Sequence, residues 1–402
     1  MRLLLYTGKG GVGKTTTAAA TAALAARRGV RTLVLSADAA HSLGDVFDRP
    51  LSATPLPVSI APCLDALEVD ARDVIEGHWG QIRAYVVELL RHQGIDEVVA
   101  EELALLPGAD ELATLVSVEN HATSGQYDLI IVDCAPTGSA LRLVTLPEVA
   151  HSGFKWLLRL QRAAAKIAEP IASGLVGAPL PKAEVFAEAE RLLYKTLEQL
   201  RARLLSEETS IRLVVTPETM VIDEARRSLT DLALFELASD AVVMNRVWPD
   251  EALREEFFRD WGRSQKERLR DVETHFSPMS MLVAPLQADE VCGFEALAAH
   301  GEALFAGLDP IAVLGTRPRL RFERHKQQAS LRLPMNGRDV KGVQVLRVDD
   351  ELVIGVDGRR RRISLPAGFA SLEVERVFVE GGELVVTFAN DPDLGTTPGE
   401  HP

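Results

Sequence analysis

The chain has 402 residues, 47% of them hydrophobic and 25% charged, the balance of a globular protein long enough for two domains. Its formal net charge of −14 argues against a nucleic-acid partner held through phosphates, which needs a basic face. No run of about 18 apolar residues occurs, and the start leads straight into a strand pattern instead of a cleavable signal. Cys63, Cys134 and Cys292 lie too far apart for a disulfide framework or a sequence-local zinc site, which fits a reducing cytoplasm.

The apolar run Leu3-Leu4-Leu5-Tyr6 precedes Gly8-Lys9-Gly10-Gly11-Val12-Gly13-Lys14-Thr15-Thr16, and an alanine-rich segment then runs to Arg27-Arg28-Gly29. That order predicts strand, tight loop and helix, with Gly29 as the helix stop. Gly8, Gly13, Lys14 and Thr15 have the spacing of the phosphate loop G-x-x-x-x-G-K-[ST] in the setting it requires. Glycines let successive N–H groups turn toward phosphate oxygens, and the following helix N-terminus favours the anion. Lys14 is expected to neutralise the β- and γ-phosphates of a triphosphate, and the Thr15 hydroxyl to take one position on Mg2+.

Thr32 to Ser36 predicts a second buried strand, followed by Asp38-Ala39-Ala40-His41-Ser42-Leu43-Gly44-Asp45-Val46-Phe47. An acidic residue at the carboxyl end of a strand beside the phosphate loop lies where open α/β sheets bind ligands, so Asp38 is placed to position or activate an attacking water. Residues 63–126 read as mostly helical, with Val74, Ile75, Ile82, Val86, Leu89 and Leu90 near one face. Tyr127 to Asp133 predicts a strand ending in an acidic residue, the Walker B pattern, with Asp133 holding Mg2+ directly or through its water shell. In the loop after it, Gly138 can move toward a γ-phosphate and Pro136 stiffens the approach, so the loop can report nucleotide state.

Residues 151–181 are rich in apolar side chains, among them Phe154, Trp156 and Ile167, and are broken by Pro170, Gly174 and Pro179. Such a segment either forms a client-binding surface or completes the core or a dimer contact. A helix is predicted over 185–204, a strand over 211–215, a helix from about 222 to 232, and strands over 241–245 and 281–284. Asn245, at the end of one of those strands, can pair its amide with an adenine edge.

These motifs together resemble the arsenical-pump and tail-anchored-protein-targeting ATPases, within the dimeric class that carries a deviant Walker A loop. The resemblance rests on the second loop lysine, Lys9; on Asp38 to Phe47, close to D-P-A-H-S-L-x-D-x-F with Ala39 in place of the proline; and on Pro107-Gly108-Ala109-Asp110-Glu111. It rests also on Cys134 to Arg142, close to D-T-A-P-T-G-H-T-L-R with Cys134 and Ser139 as departures, and on Pro285 to Gly293, close to P-L-x-x-x-E-V-x-G. It covers residues 1 to about 308 and implies a homodimer that binds ATP and Mg2+ at its seam. Lys9 would reach the partner's nucleotide, Asp38 would be the catalytic aspartate, and Asn245 and Pro285 would recognise adenine. His41, Ser42, Pro136, Thr137 and Gly138 would form the switch segments. A hydrophobic client or membrane-protein segment is the implied partner, with a membrane receptor or pump as a further one. The targeting proteins' C-x-x-C clasp is missing, the pump's cysteine trio has no evident counterpart, and only one phosphate loop is present.

Beyond 308 the pattern changes. Residues 309–328 carry the breakers of a linker, and alternating runs over 330–333, 343–348, 351–356, 361–365, 373–379 and 383–388, separated by turns such as Asp357-Gly358 and Gly381-Gly382, predict an antiparallel β-sandwich. Leu333-Pro334, Ile363 to Pro366 and Gly381 to Val386 resemble the small heat-shock (α-crystallin-like) fold, without its I-x-I tail. The expected architecture is an α/β P-loop NTPase, 1–308, whose mostly parallel sheet is flanked by helices and carries a helical, client-binding region over about 71–120 and 151–206. A linker, a β-sandwich over 329–390 and a disordered tail over 391–402 complete it. The expected function is an ATP-driven switch that captures and releases apolar clients, with the motor of an anion efflux pump as the alternative.

Overall fold

A computed structural model describes residues 1–37, 42–51, 56–70, 109–134, 197–315, 319–325, 328–335, 342–356, 358–369 and 371–390, with 74, 84, 87, 88, 90, 91 and 94–97. Asp38, His41, Pro136, Thr137, Gly138, most of the 71–92 helix, the 151–181 apolar segment and the tail lie outside the described residues.

The first 315 residues build one eight-stranded sheet in the order β3-β4-β2-β5-β1-β6-β7-β8. Its strands are β1 (Arg2–Thr7), β2 (Thr32–Ser36), β3 (Val58–Ala61), β4 (Leu64–Glu68), β5 (Leu129–Asp133), β6 (Thr209–Val215), β7 (Ser239–Val247) and β8 (Ser280–Pro285). Among the described residues, only β3 runs antiparallel to its neighbour in this sheet. The central strands read as near-continuous Leu, Ile and Val runs because helices cover both faces of a parallel sheet. Those helices include α1 (Lys14–Arg27), α2 (Ser42–Phe47), α3 (Ala109–Thr123), α4 (Leu197–Leu204), α5 (Thr219–Leu234), α6 (Arg259–Phe276) and α7 (Phe294–Phe305). Alanine fills α1 from Ala18 to Ala26, so its backbone lies close to the sheet with every one of those alanines buried. Among the described residues no helix is long and apolar enough to cross a membrane.

Two sequence expectations need correction. Residues 64–68, inside the stretch expected to be mostly helical, form strand β4, paired in parallel with β2. Leu64, Ala66 and Leu67 are buried there, and a five-residue stretch with three apolar side chains and two acids cannot be told from a helix turn by periodicity alone. The stretch 309–328 is not a free linker either: Arg321–His325 forms β9, and residues 310–314 are bonded to the amino end of the main sheet.

That attachment centres on Arg212, which lies in β6 with no exposed surface. Its guanidinium donates to Asp240 at 3.1 Å, to the Tyr6 hydroxyl at 3.1 Å, and to the carbonyls of Pro310 at 2.8 Å and Ala312 at 3.1 Å. Arg2 donates to the other Asp240 oxygen at 2.9 Å and to the Ile311 carbonyl at 3.0 Å. Leu314 closes the strap, its N–H donating to Asp240 and its carbonyl accepting from the Ser280 hydroxyl at 2.8 Å.

The strap leads into the second domain. Strands β14 (Leu372–Glu380), β15 (Glu383–Asn390), β10 (Gln328–Pro334) and β9 form one antiparallel sheet, and β11 (Val343–Val348), β12 (Glu351–Val356) and β13 (Arg359–Ser364) another. Leu331, Leu333, Val386 and Phe388 from the first sheet and Leu352, Ile354 and Ile363 from the second are buried, as the inner faces of a sandwich are. The expected strands over 343–348 and 351–356 have those bounds. This domain is docked on the last turn of α5. Buried Arg361 donates to the Leu234 carbonyl and to Glu236, Arg359 pairs with Asp231 at 2.8 Å, and the Thr230 hydroxyl donates to the Met335 carbonyl at 3.4 Å. Arginine at a helix C-terminus satisfies carbonyls that the helix leaves open and complements its dipole.

Candidate nucleotide site

The sheet order places β1 between β5 and β6, and the loop 8–13 leaves its carboxyl end to enter α1. This is where the connections diverge to the two sides of the sheet, the position at which open α/β sheets bind ligands. The loop's glycines are there because space and torsion demand it. A Cβ on Gly8 would lie 2.2 Å from the Val214 carbonyl oxygen, and one on Gly13, at φ 88°, would lie 2.3 Å from the Asn245 amide nitrogen. Gly10 and Gly11 stand at the exposed crest, Lys9 is half-buried, and Lys14 is buried with its ammonium donating to the Lys9 carbonyl at 3.2 Å. Lys14 therefore curls back over the loop, over the ground that phosphate oxygens would occupy. Thr15 and Thr16 follow in the first turn of α1 with partly accessible side chains, and Val12 is buried.

Around this loop the structure gathers groups from four other elements. Asp133 ends β5 fully buried, level with Tyr6 on β1 and Ser36 on β2. Its carbonyl accepts from the Ala37 N–H at 2.9 Å, which fixes the point where the chain departs toward Asp38. Ser42, opening α2, brings its hydroxyl within 3.3 Å of the Thr15 hydroxyl. Burial, with the nearby Asp133 charge adding to it, pushes the Cys134 thiol pKa up against the opposing pull of Lys14, so the residue standing where the resembled family has threonine stays a neutral thiol. Thr15 and Asp133 supply the hard oxygen donors that Mg2+ prefers, and the loop supplies backbone and lysine donors for phosphate, so the residues present fit a magnesium nucleotide.

Asn245 has a role that the sequence reading did not assign. It is buried, its amide N–H donates to the Val12 carbonyl at 2.8 Å, and its Oδ1 accepts from the Arg246 N–H at 2.9 Å. The side chain expected to read adenine thus braces the phosphate loop from β7. The missing Cβ of Gly13 is what lets it come so close. Asn245→Ala is expected to weaken ATP binding roughly fivefold by freeing the loop, measured by calorimetry; an unchanged Kd would count against the brace. Pro285 ends β8, and Leu286 bonds back to the Val247 carbonyl at 2.9 Å, so the segment expected to contact adenine starts from a fixed strand end.

Two contacts escaped the sequence reading. Glu68, the last residue of β4, accepts the Gly44 N–H at 2.9 Å, and the Gly293 N–H donates to the Val46 carbonyl at 2.8 Å. A partial signal for the first existed: Leu64-Asp65-Ala66-Leu67-Glu68 ends in an acid after apolar residues, as does the more apolar run ending at Asp133. Reading that stretch as helix hid it. The second is a backbone bond, to which side-chain chemistry gives no clue.

The family model described as anion-transporting ATPase matches residues 1–306, and one described as an HSP20-like domain found in the same family matches residues 326–388. A putative arsenical pump-driving ATPase 1 of Aquifex aeolicus is 33% identical over 394 residues, covering 96% of this chain and 99% of the relative. A putative arsenical pump-driving ATPase of Chlorobaculum tepidum is 30% identical over 93% of this chain and 92% of its own length. An ATPase ASNA1 homolog 1 of Paramecium tetraurelia is 28% identical over 76% of this chain and 92% of its own length. With the family model matching residues 1–306 and relatives of 30% identity or more matching nearly end to end, the chain belongs to the anion-transporting ATPase family.

Proposed function

We propose that the chain is an ATP-hydrolysing, Mg2+-dependent dimeric switch that binds and releases hydrophobic client proteins. The observation that carries the nucleotide part is the braced phosphate loop, with Lys14 folded over it and Thr15, Ser42 and Asp133 converging beside it. In this reading Lys14 and Lys9 act on the phosphates, Lys9 from the opposite subunit. Thr15 and Asp133 would hold Mg2+, Asp38 would orient the attacking water, and the 136–138 loop would relay the state of the site to the apolar 151–181 segment. The client part is supported by that segment's composition and by the match to an HSP20-like domain.

The alternative, motor of an anion pump, is favoured by the names of the relatives that match nearly end to end. Against it stands the thiol placement: Cys134 is buried, while Cys63, before β4, and Cys292, after β8, leave opposite ends of parallel strands. A soft metalloid needs thiolates brought together. Full-length protein with ATP and Mg2+ is expected to retain a detergent-free apolar helix peptide in size-exclusion chromatography and to release it after hydrolysis. Absence of nucleotide-dependent retention, together with ATP turnover stimulated by arsenite, would reverse the preference.

A further inference from the structure

We propose that Glu68 is a positioning residue for ATP cleavage, acting through α2 on Ser42 and on the Thr15 hydroxyl that Ser42 faces. The inference rests on the hydrolysis reading given above. Glu68 is 6% exposed at the carboxyl end of β4, level with Ser36 on β2, one strand away from the strand that ends in Asp133. Its Oε1 accepts the N–H of Gly44, in the first turn of α2, where amide hydrogens have no partner within the helix.

A helix of six residues cannot hold its own place, since helix nucleation is unfavourable and so short a piece has almost no propagation to offset it. Its position is set from outside. Gly44 is held by Glu68, Val46 by the Gly293 N–H, and Ser42 faces the Thr15 hydroxyl at 3.3 Å. Ser42, which faces Thr15, is therefore held through the first turn of α2 by the bond to Glu68. Removing that bond frees the first turn of α2, and with it Ser42, from β4, while the hold of Gly293 on Val46 farther along the helix remains. Small displacements of reacting groups from near-attack geometry cost large factors in rate, while binding through the phosphate loop stays intact.

The role is that of a hydrogen-bond acceptor of the right length, not of a charge, and two conservative variants of the full-length chain separate these. Glu68→Gln keeps an acceptor oxygen at the same reach and loses the charge; Glu68→Asp keeps the charge and draws the carboxylate back by one methylene. Steady-state ATPase kinetics and calorimetric ATP affinity are measured for both. The inference expects Glu68→Gln within about twofold of wild type, and Glu68→Asp with kcat lowered roughly tenfold and ATP affinity within about twofold. Glu68→Asp at wild-type kcat overturns it. So does Glu68→Gln falling well below wild type, which would make the charge itself the active feature. Wild-type protein that hydrolyses no ATP overturns the hydrolysis reading and this inference together, whereas normal wild-type turnover matched by Glu68→Asp overturns only the role of Glu68.

Discussion

Replacing Asp240 with alanine is expected to lower the melting temperature by on the order of 10 °C and to cost roughly 3–5 kcal/mol, the largest stability effect of any single change argued for this chain. The reason lies in what would be left behind. Asp240 is 1% exposed and answers two guanidinium groups at once, Arg2 and Arg212, the latter with no exposed surface at all. Burial opposes the Arg212 charge, yet the pull of Tyr6 and Asp240 outweighs it and holds the pKa above the ordinary arginine value. Without Asp240, two cations face each other in the sheet with backbone carbonyls and the Tyr6 and Ser210 hydroxyls as their acceptors among the described residues, and a buried charge without its counter-ion is far costlier than a missing pair.

The loss would not stay local. Asp240 also accepts the Leu314 N–H, and its two arginines hold the carbonyls of Pro310, Ile311 and Ala312. Those bonds tie the exit of the ATPase domain to the amino end of its sheet, opposite the phosphate loop. Thermal unfolding followed by circular dichroism is the direct check, and a change below about 2 °C would show that the network is not a cornerstone. The arginine pair Arg359 and Arg361 on α5 gives the β-domain a separate hold, so limited proteolysis of the variant should cut within 306–320 before it degrades the β-domain.

The sequence made the phosphate loop and the strands beside it legible because each carries a signal tied to its own backbone. The glycines of the loop, the acid at the end of the 129–133 run and the apolar stretch 32–36 need no distant residue to be read. The β-domain was legible for a similar reason, since alternation and turn residues fix strands of an antiparallel sheet one at a time. What stayed hidden depends on partners far away in the chain. Arg212 interrupts an otherwise apolar strand, and its meaning comes from Asp240 and from carbonyls about a hundred residues on. Asn245 carries no mark that its amide will meet Val12. Strand β9 was missed because Arg321 to His325 alternates weakly and follows a proline-rich stretch that reads as linker.

Asp38→Asn is expected to lower kcat at least a hundredfold while leaving ATP affinity within a few-fold of wild type, and Lys14→Ala to weaken both. The contrast follows from position. Lys14 is buried in the loop itself, its ammonium tied to the Lys9 carbonyl, so its removal takes charge from the phosphates in ground state and transition state alike. A mutation of that kind raises KM as well as lowering kcat. Asp38 follows Ala37, which the Asp133 carbonyl anchors, and precedes Ser42 beside Thr15. In the proposed mechanism Asp38 orients the attacking water, and an amide keeps the shape of a carboxylate but cannot take a proton or hold a water with the same charge. Only the step that moves the proton should suffer. Single-turnover hydrolysis under saturating enzyme isolates that step from binding and release. If Asp38→Asn cleaves ATP at the wild-type single-turnover rate, the water-activating group is another residue.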